Sequence, residues 1–136
     1  MTVFDASVFI DALVSTGPTG RAARAWLRET EVLEVPAIFS AEVTSGLSAL
    51  VRRGGLSPRR ASAALEQMKA ARTTQFQFDP FVDRAWELRR NLTIYDGWYV
   101  ALAESLETDL VTSDKRLASA PGPRCAVRYV TEAPPA

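Results

Sequence analysis

Four acidic residues stand where a folded chain could bring their carboxylates together. Asp5 follows the short apolar segment TVF and Asp114 follows LVTS, and both segments have the composition of buried strands. The carboxyl ends of parallel strands share one edge of a sheet, so both acids are expected at that edge. Asp96 opens an apolar helix that leads back into the LVTS strand, and Glu42 lies near the start of another helix. We therefore predict that the four carboxylates converge.

A cluster of carboxylates favours a hard divalent cation. Like charges held close together repel and raise one another's pKa, and a bound cation relieves that repulsion. Mg²⁺ or Mn²⁺ suits oxygen ligands, keeps several waters, and can lower the pKa of one of them or polarise a phosphoryl oxygen. The chain has no histidine and one cysteine, which excludes histidine-dependent nucleophiles and zinc sites of the usual N/S type. The groups that remain for catalysis are carboxylates, hydroxyls, arginines and a hard cation held by carboxylates, and such a set could hydrolyse a phosphodiester.

Each acid also has a purely structural explanation. Asp96 could cap its helix, Asp114 could be a turn residue after its strand, and Asp5 could be a turn or cap residue. Glu42 could be a solvated helix acid, although Gly46 follows it on the same side and would leave room beside the carboxylate. Spacing alone leaves both explanations open for every one of the four.

Strand and helix patterns alternate along the chain. Strands are expected at 2–4, 32–35, 73–78, 109–114 and 125–130. Helices are expected at 6–14, 21–30, 37–53, 57–71, 80–91 and from 96 onward. Ser57 and Asp79, each followed by proline, mark helix starts as cap residues. This order predicts an α/β fold with a mostly parallel sheet and helices on both faces.

Length and composition predict one domain over residues 1–136, with a frayed tail at 130–136. No apolar run approaches the length of a membrane span, so no membrane partner is expected. A single cysteine cannot form an internal disulfide, and the first residues lack the cationic stretch of a signal peptide. These features predict a reducing, cytoplasmic location. The net charge of zero gives no global attraction to nucleic acid.

Four segments resemble the PIN domain family in order and spacing: VFDASVFIDAL, AEVTSGLSAL, RAWELRRNLTIYDGWYVALAE and LVTSDKRLA. More narrowly, the chain resembles VapC, the toxin of type II VapBC toxin–antitoxin pairs, over residues 3 to about 127. The resemblance implies a three-layer α/β/α fold and Mg²⁺-dependent cleavage of RNA, with Mn²⁺ as a substitute. The family's catalytic and metal-binding acids fall on Asp5, Glu42, Asp96 and Asp114.

The resemblance also implies partners: an RNA substrate, a VapB-type antitoxin whose tail covers the active-site groove, and a second copy in a homodimer. The hydroxyls of Thr112 and Ser113 lie close to the acids in sequence and could orient a water or a phosphate. Candidates for holding the RNA backbone are Arg52, Arg53, Lys115 and Arg116. Candidates for lining a binding groove, with core packing as the alternative, are Trp26, Phe39 and the Leu47–Leu50 region.

The chain departs from the family pattern in two places. Gly97 and Trp98 follow the third acid, where alanine and another small residue are common. Glycine loosens the first helical turn by about 1 kcal/mol relative to alanine, and the tryptophan would alter the groove or a dimer contact. Arg116 stands where some relatives carry a further acid, which argues against a second tightly held metal.

Two other classes of protein fit part of the pattern. A doubly wound phosphoacceptor or phosphatase domain also carries an aspartate after its first strand. Phosphatases of that kind need Asp-x-Asp, whereas this chain reads Asp5-Ala6-Ser7, and receivers need an adjacent acid that Asp5 lacks. A catalytically inactive PIN-like binding module is the second alternative, and the presence of all four acids argues against it.

Overall fold

The computed structural model describes residues 1–132 of the chain. The strands in this part are β1 (Val3–Phe4), β2 (Leu33–Pro36), β3 (Thr73–Phe76), β4 (Leu110–Thr112) and β5 (Val127–Tyr129). The α-helices are α1 (Ala6–Val14), α2 (Pro18–Arg28), α3 (Phe39–Arg52), α4 (Pro58–Ala70), α5 (Val82–Glu87), α6 (Ile94–Ser105) and α7 (Lys115–Ser119). A 3₁₀ turn, Asp79–Phe81, precedes α5.

All strand pairs are parallel, which confirms the predicted sheet type. One sheet has the order β1-β4-β5, with Val3 opposite Leu110 and Leu110 opposite Val127. The second sheet pairs β2 with β3, and β2 also contacts β1. Because β1 and β4 run in the same direction, residues that follow them emerge at one edge.

Helices cover the strands in two layers, as the three-layer α/β/α prediction requires. Helix α1 contacts β1 and β4 and carries α2, α3 and α4 on its other sides. Helix α6 contacts β1, β2 and β4 and carries α5. Every residue of α6 from Gly97 to Ala103 is buried, because strands and helices surround this part of the helix. Burying one large apolar side chain contributes about 1.5–3 kcal/mol, so α6 is a principal source of stability.

A bidentate ion pair between Arg84 and Glu104 joins α5 to α6. The Arg84 guanidinium donates to both carboxylate oxygens of Glu104, at 2.7 and 3.0 Å, and the backbone N–H of Arg124 donates to the same carboxylate at 2.7 Å. The two side chains are only 18% and 14% exposed. Burial raises the pKa of Glu104, but the hydrogen bonds from Arg84 and Arg124 outweigh it and leave that pKa below its ordinary value. The pair therefore fixes α5 against the central helix.

The helix start signals were correct at one site and wrong at the other. Ser57 caps α4, since its Oγ accepts from the backbone N–H of Arg60 at 3.2 Å. Asp79 is not a cap: it lies inside the 3₁₀ turn, whose cap position is occupied by Phe78 without a side-chain hydrogen bond. Helix α5 ends at Glu87 and is shorter than the 80–91 segment expected.

The chain beyond β5 begins with a core residue. Val130 is 0% exposed, its N–H donates to the Thr112 carbonyl at 2.8 Å, and its carbonyl accepts from Trp26 Nε1 at 2.9 Å. The expected tail at 130–136 therefore cannot be frayed at Val130, and residues 133–136 lie outside the described part. Trp26, Phe39 and Leu47 are all buried, so core packing holds for them. Within residues 1–132, no helix is long and apolar enough to cross a membrane.

Candidate active site

A cavity of about 160 Å³ lies where β1 and β4 end, and the four predicted acids all line it. Asp5 follows β1 directly, and Asp114 follows β4 after one intervening residue. Glu42 reaches the cavity from the first turn of α3, and Asp96 from the first turn of α6. The topology therefore brings together side chains that are up to 109 positions apart in the sequence.

Asp5 is the most constrained of the four acids. It is 6% exposed and caps α1, with Oδ1 accepting from the backbone N–H of Ser7 at 2.7 Å. The hydroxyls of Ser7 and Thr112 also donate to its carboxylate, one to each oxygen. Both hydroxyl oxygens in turn accept backbone N–H groups, from Ser113 at 3.0 Å and from Asp114 at 2.9 Å. The backbone after β4 thus directs both hydroxyl protons onto this carboxylate.

A buried residue of α6, Tyr99, positions Glu42. Tyr99, which is 1% exposed, donates its phenolic hydroxyl to Glu42 Oε1 at 2.7 Å. The room expected beside Gly46 is absent, because a Cβ there would lie 2.4 Å from Cδ1 of Ile10. Side-chain packing of α1 therefore fills that space, and Tyr99 supplies the contact that holds the carboxylate.

Asp96 and Asp114 differ in how far helix capping accounts for them. Thr93 caps α6: its Oγ1 accepts from the backbone N–H of Asp96 at 3.0 Å, so the capping explanation for Asp96 is wrong. Asp96 instead lies within the first turn of α6, where the positive end of the helix dipole stabilises a carboxylate. Asp114 does cap the short helix α7, with Oδ1 accepting from the backbone N–H of Arg116 at 2.9 Å. Capping therefore accounts for Asp114 in part and leaves Asp96 without a structural role of that kind.

The cavity is electrostatically unfavourable for three of its carboxylates. Burial raises the pKa of Asp5, against the lowering effect of its hydrogen bonds. Burial also raises the pKa of Glu42, and the charges of Asp5 and Asp96 raise it further. For Asp96, burial and then the charges of Asp5 and Asp114 raise the pKa. A counter-charge in the cavity would relieve both desolvation and mutual repulsion.

The donor set fits a hard cation, although the carboxylates are not arranged as a closed cage. Within residues 1–132, no group of three or more acidic or cysteine side chains is already placed to enclose an ion. Protein hydrogen bonds hold Asp5, Glu42 and Asp114 through at least one carboxylate oxygen each. Mg²⁺ usually keeps several waters and takes only one or two protein carboxylates directly, so an open, oxygen-lined cavity suits it.

Sequence reasoning missed three residues that position the acids: Ser7, Thr93 and Tyr99. Tyr99 lies three residues after Asp96 and therefore on nearly the same side of the helix, which is the signal that could have identified it. The hydroxyl of Thr112 is committed to Asp5 and is not available to orient a substrate. Ser113 Oγ is buried and has no hydrogen-bond partner within the described residues.

The two unusual residues after Asp96 serve packing. A Cβ on Gly97 would lie 3.3 Å from the Cα of Ala85, so glycine permits close approach of α5 to α6. Trp98 is 7% exposed and packs edge-on against Phe78, with ring centroids 5.0 Å apart. Trp98 is therefore a core residue and does not line the cavity.

The candidate RNA-binding cations lie in different surroundings. Arg52 donates to Ser48 Oγ at 3.2 Å. The Lys115 ammonium lies 5.6 Å from the centre of the Tyr129 ring. Arg53 is exposed at the end of α3, and Arg116 is exposed beside Asp114. Of this set, Arg116 is the one in contact distance of a cavity acid, with its Nε 3.9 Å from Asp114 Oδ1.

Comparison with known proteins identifies the family and the fold of the chain. The PIN domain family matches residues 2–123. Ribonuclease VapC1 of Mycobacterium tuberculosis is 36% identical over 129 residues, which cover 94% of this chain and 96% of that protein. The crystal structure of PAE2754 from Pyrobaculum aerophilum has a TM-score of 0.69 at 25% identity, over 96% of this chain and 83% of that one. VapC20 of Mycobacterium tuberculosis is described as a sarcin-ricin loop cleaving toxin. Its structure has a TM-score of 0.63 at 17% identity, over 88% of this chain and 94% of that one. At this identity the likeness supports the fold alone. The chain therefore belongs to the PIN domain family and, within it, to the VapC ribonucleases.

Proposed function

We propose that this chain is a Mg²⁺-dependent endoribonuclease, the toxin of a type II toxin–antitoxin pair, with Mn²⁺ as an alternative ion. Its catalytic and metal-binding residues would be Asp5, Glu42, Asp96 and Asp114. The observation that supports this most directly is that these four carboxylates line one cavity, where burial raises the pKa of Asp5, Glu42 and Asp96, and neighbouring carboxylates raise the pKa of Glu42 and Asp96 further. Such an arrangement destabilises the protein unless a bound cation neutralises the charges, so its presence indicates a functional site.

The chain's own residues would divide the work of hydrolysis. Asp5 and Asp96 would be the firmest ligands, since Asp5 is rigidly held and Asp96 has no capping role. Glu42 accepts a hydrogen bond from Tyr99 through Oε1. Its Oε2 would accept a hydrogen bond from a water, orient that water toward a phosphate and take up its proton. A divalent cation, when bound, supplies Lewis acidity that lowers the pKa of a coordinated water and stabilises charge on the phosphate. Asp114 would complete the site directly or through water.

The partners in this proposal follow from family membership. VapC1 is named a ribonuclease, and we extend that activity, though no particular RNA or cleavage site, to this chain. We also extend to it a VapB-type antitoxin that covers the cavity and a homodimeric state. The dimer is tested by light scattering during size-exclusion chromatography, where a mass near 14.9 kDa would contradict it.

The test of function is cleavage of total RNA with Mg²⁺, with Mn²⁺ and with EDTA, followed by sequencing of the new ends. Wild-type protein should cleave at defined positions with either ion and should lose this activity in EDTA. Asp96→Asn should reduce cleavage by at least about 100-fold, because it removes a ligand without altering side-chain size. Asp83→Asn is the matched control, since it makes the same change at an exposed position on α5.

Two results would contradict the proposal. Cleavage that persists in EDTA would reject the metal-dependent mechanism. Full activity of the Asp96→Asn protein would remove this residue from the site and leave the carboxylate cavity without its proposed role.

A further inference from the structure

A second cavity, of about 180 Å³, adjoins the carboxylate cavity. Asp96 and Asp114 line both, so the two spaces meet at these side chains. Its other walls are residues 91–93, which precede α6, and the Arg116–Leu117 part of α7. Sites for drug-sized ligands occupy about 300–1,000 Å³, so this smaller space suits a group the size of one base, with the ribose and phosphate outside it.

The walls of this second cavity combine an apolar floor with a polar rim. Leu92 and Leu117 are 8% and 2% exposed, so they present a small apolar surface anchored in the core. Asn91 is exposed and lines the same space. Its amide offers both a donor and an acceptor, the combination that can read the edge of a base. An apolar face beside such an amide is suited to a nucleotide whose base is unpaired.

Arg116 supplies the positive charge that a phosphate needs at this place. Its side chain is 94% exposed, and its Nε lies 3.9 Å from Asp114 Oδ1. An exposed ion pair of this length contributes little, so the guanidinium can turn to another anion at little cost. A phosphate that approaches the acidic cavity is otherwise repelled, and the planar donors of arginine match two phosphate oxygens at once.

We propose that this second cavity binds the nucleotide next to the scissile phosphate in single-stranded RNA, with Arg116 on its phosphate and Asn91 on its base. The inference rests on the proposed ribonuclease function, because the scissile phosphate is defined by the carboxylate cavity. In this arrangement Arg116 takes part in substrate binding at a position where some relatives carry an acid.

The first experiment measures binding without cleavage. A fluorescently labelled single-stranded RNA of mixed sequence is titrated with protein in EDTA at several salt concentrations, and anisotropy gives Kd. Each phosphate contact on single-stranded nucleic acid contributes about 0.7 to the slope of log Kd against log salt. Arg116→Gln should lower the slope by about 0.7 and weaken binding roughly five- to tenfold, while Arg116→Lys should keep most of the slope.

Arg124→Gln is the matched control for the binding experiment. Arg124 is exposed and lines a different cavity together with Asp109, which precedes β4 and so lies at the opposite end of that strand. This variant should keep both the slope and the affinity of the wild type. An unchanged slope for Arg116→Gln, equal losses in both variants, or no binding by the wild type would each overturn the proposed nucleotide site.

The second experiment measures cleavage of a short RNA library with Mn²⁺. Arg116→Gln should raise KM about fivefold and change kcat less than about twofold, because it removes ground-state binding. Asn91→Ala should leave the salt slope intact and reduce base discrimination at one position near the cut about tenfold. A preference profile identical to wild type would exclude Asn91 as the base contact. Absence of cleavage by wild type, with the binding results as expected, would refute the ribonuclease function and leave the RNA-binding cavity in place.

Discussion

Asp96→Asn should make the protein more stable when divalent cations are absent. The Asp96 carboxylate is half-buried, and burial together with the charges of Asp5 and Asp114 raises its pKa. Removing one of several partly exposed carboxylates that repel one another is expected to stabilise the folded protein by about 1 kcal/mol. Helix α6 keeps its cap, since Thr93 Oγ1 accepts from the backbone N–H of position 96, which the substitution does not change. The melting temperature should rise by about 3–5 °C.

The direction of the pH dependence follows from the same carboxyl group. Because the pKa of Asp96 is raised in the folded state, the wild type loses stability as pH rises from the ordinary value of 3.8 through the higher folded value. Asparagine does not titrate, so the variant avoids this loss. The two proteins should be equally stable below pH 3.8, and the variant should be more stable at neutral pH.

A divalent cation should reverse this order. A ligand at a hundredfold excess over its Kd stabilises the folded state by about 2.7 kcal/mol, which exceeds the gain of about 1 kcal/mol from removing the charge. Thermal unfolding followed by circular dichroism in EDTA and in saturating Mn²⁺ measures both effects, with Asp83→Asn as the control. A variant that is less stable than wild type in EDTA, or that gains as much stability from Mn²⁺, would refute this account of the cavity.

Three further substitutions test how the surrounding residues act. Thr112→Val should lower the free energy of unfolding in urea by about 1–3 kcal/mol, because it leaves a buried carboxylate oxygen and a backbone N–H without their shared hydroxyl; an unchanged midpoint would contradict this. Tyr99→Phe should leave secondary structure intact and reduce RNA cleavage about tenfold, because Glu42 loses the group that orients it; wild-type kcat/KM would argue against that positioning role. Glu104→Gln should destabilise the protein by about 2–4 kcal/mol at pH 7 through loss of the Arg84 ion pair. The pKa of Glu104 is lowered in the folded state, so the difference from wild type should shrink as pH falls below its ordinary value of 4.5; a difference independent of pH would exclude the ion pair as its source.

Much of the fold could be predicted from the sequence because its signals are local. Periodicity identified the first helix over the same residues, 6–14, that the structure assigns to it. The alternation of strands and helices gave the parallel sheet and the two helical layers. Asp79 shows the limit of local signals: its cap-plus-proline pattern occurs in a 3₁₀ turn, where a different residue holds the cap position.

The gathering of Asp5, Asp96 and Asp114 could also be predicted, from strand direction and from the helix that leads into β4, whereas Glu42 was placed only by its position near the start of a helix. The sequence analysis did not predict the hydrogen bonds that fix the orientation of the acids, and two of these bonds join distant segments. Tyr99 reaches Glu42 across 57 positions, and Thr112 reaches Asp5 across 107. Packing was missed for the same reason, as Ile10 fills the space beside Gly46. The roles of the four acids in metal binding and catalysis stay predictions.

The two helices that begin at the cavity differ in how much their folding depends on the acid beside the cavity. At α6, Thr93 holds the helix end and the neighbouring acid is free of that duty, whereas at α7 Asp114 itself is the cap. Under the proposed function, a lineage that loses the carboxylate at position 96 would keep a protein that still folds but no longer cleaves RNA. A lineage that loses the one at position 114 would weaken architecture and chemistry in a single event, and selection should remove it sooner.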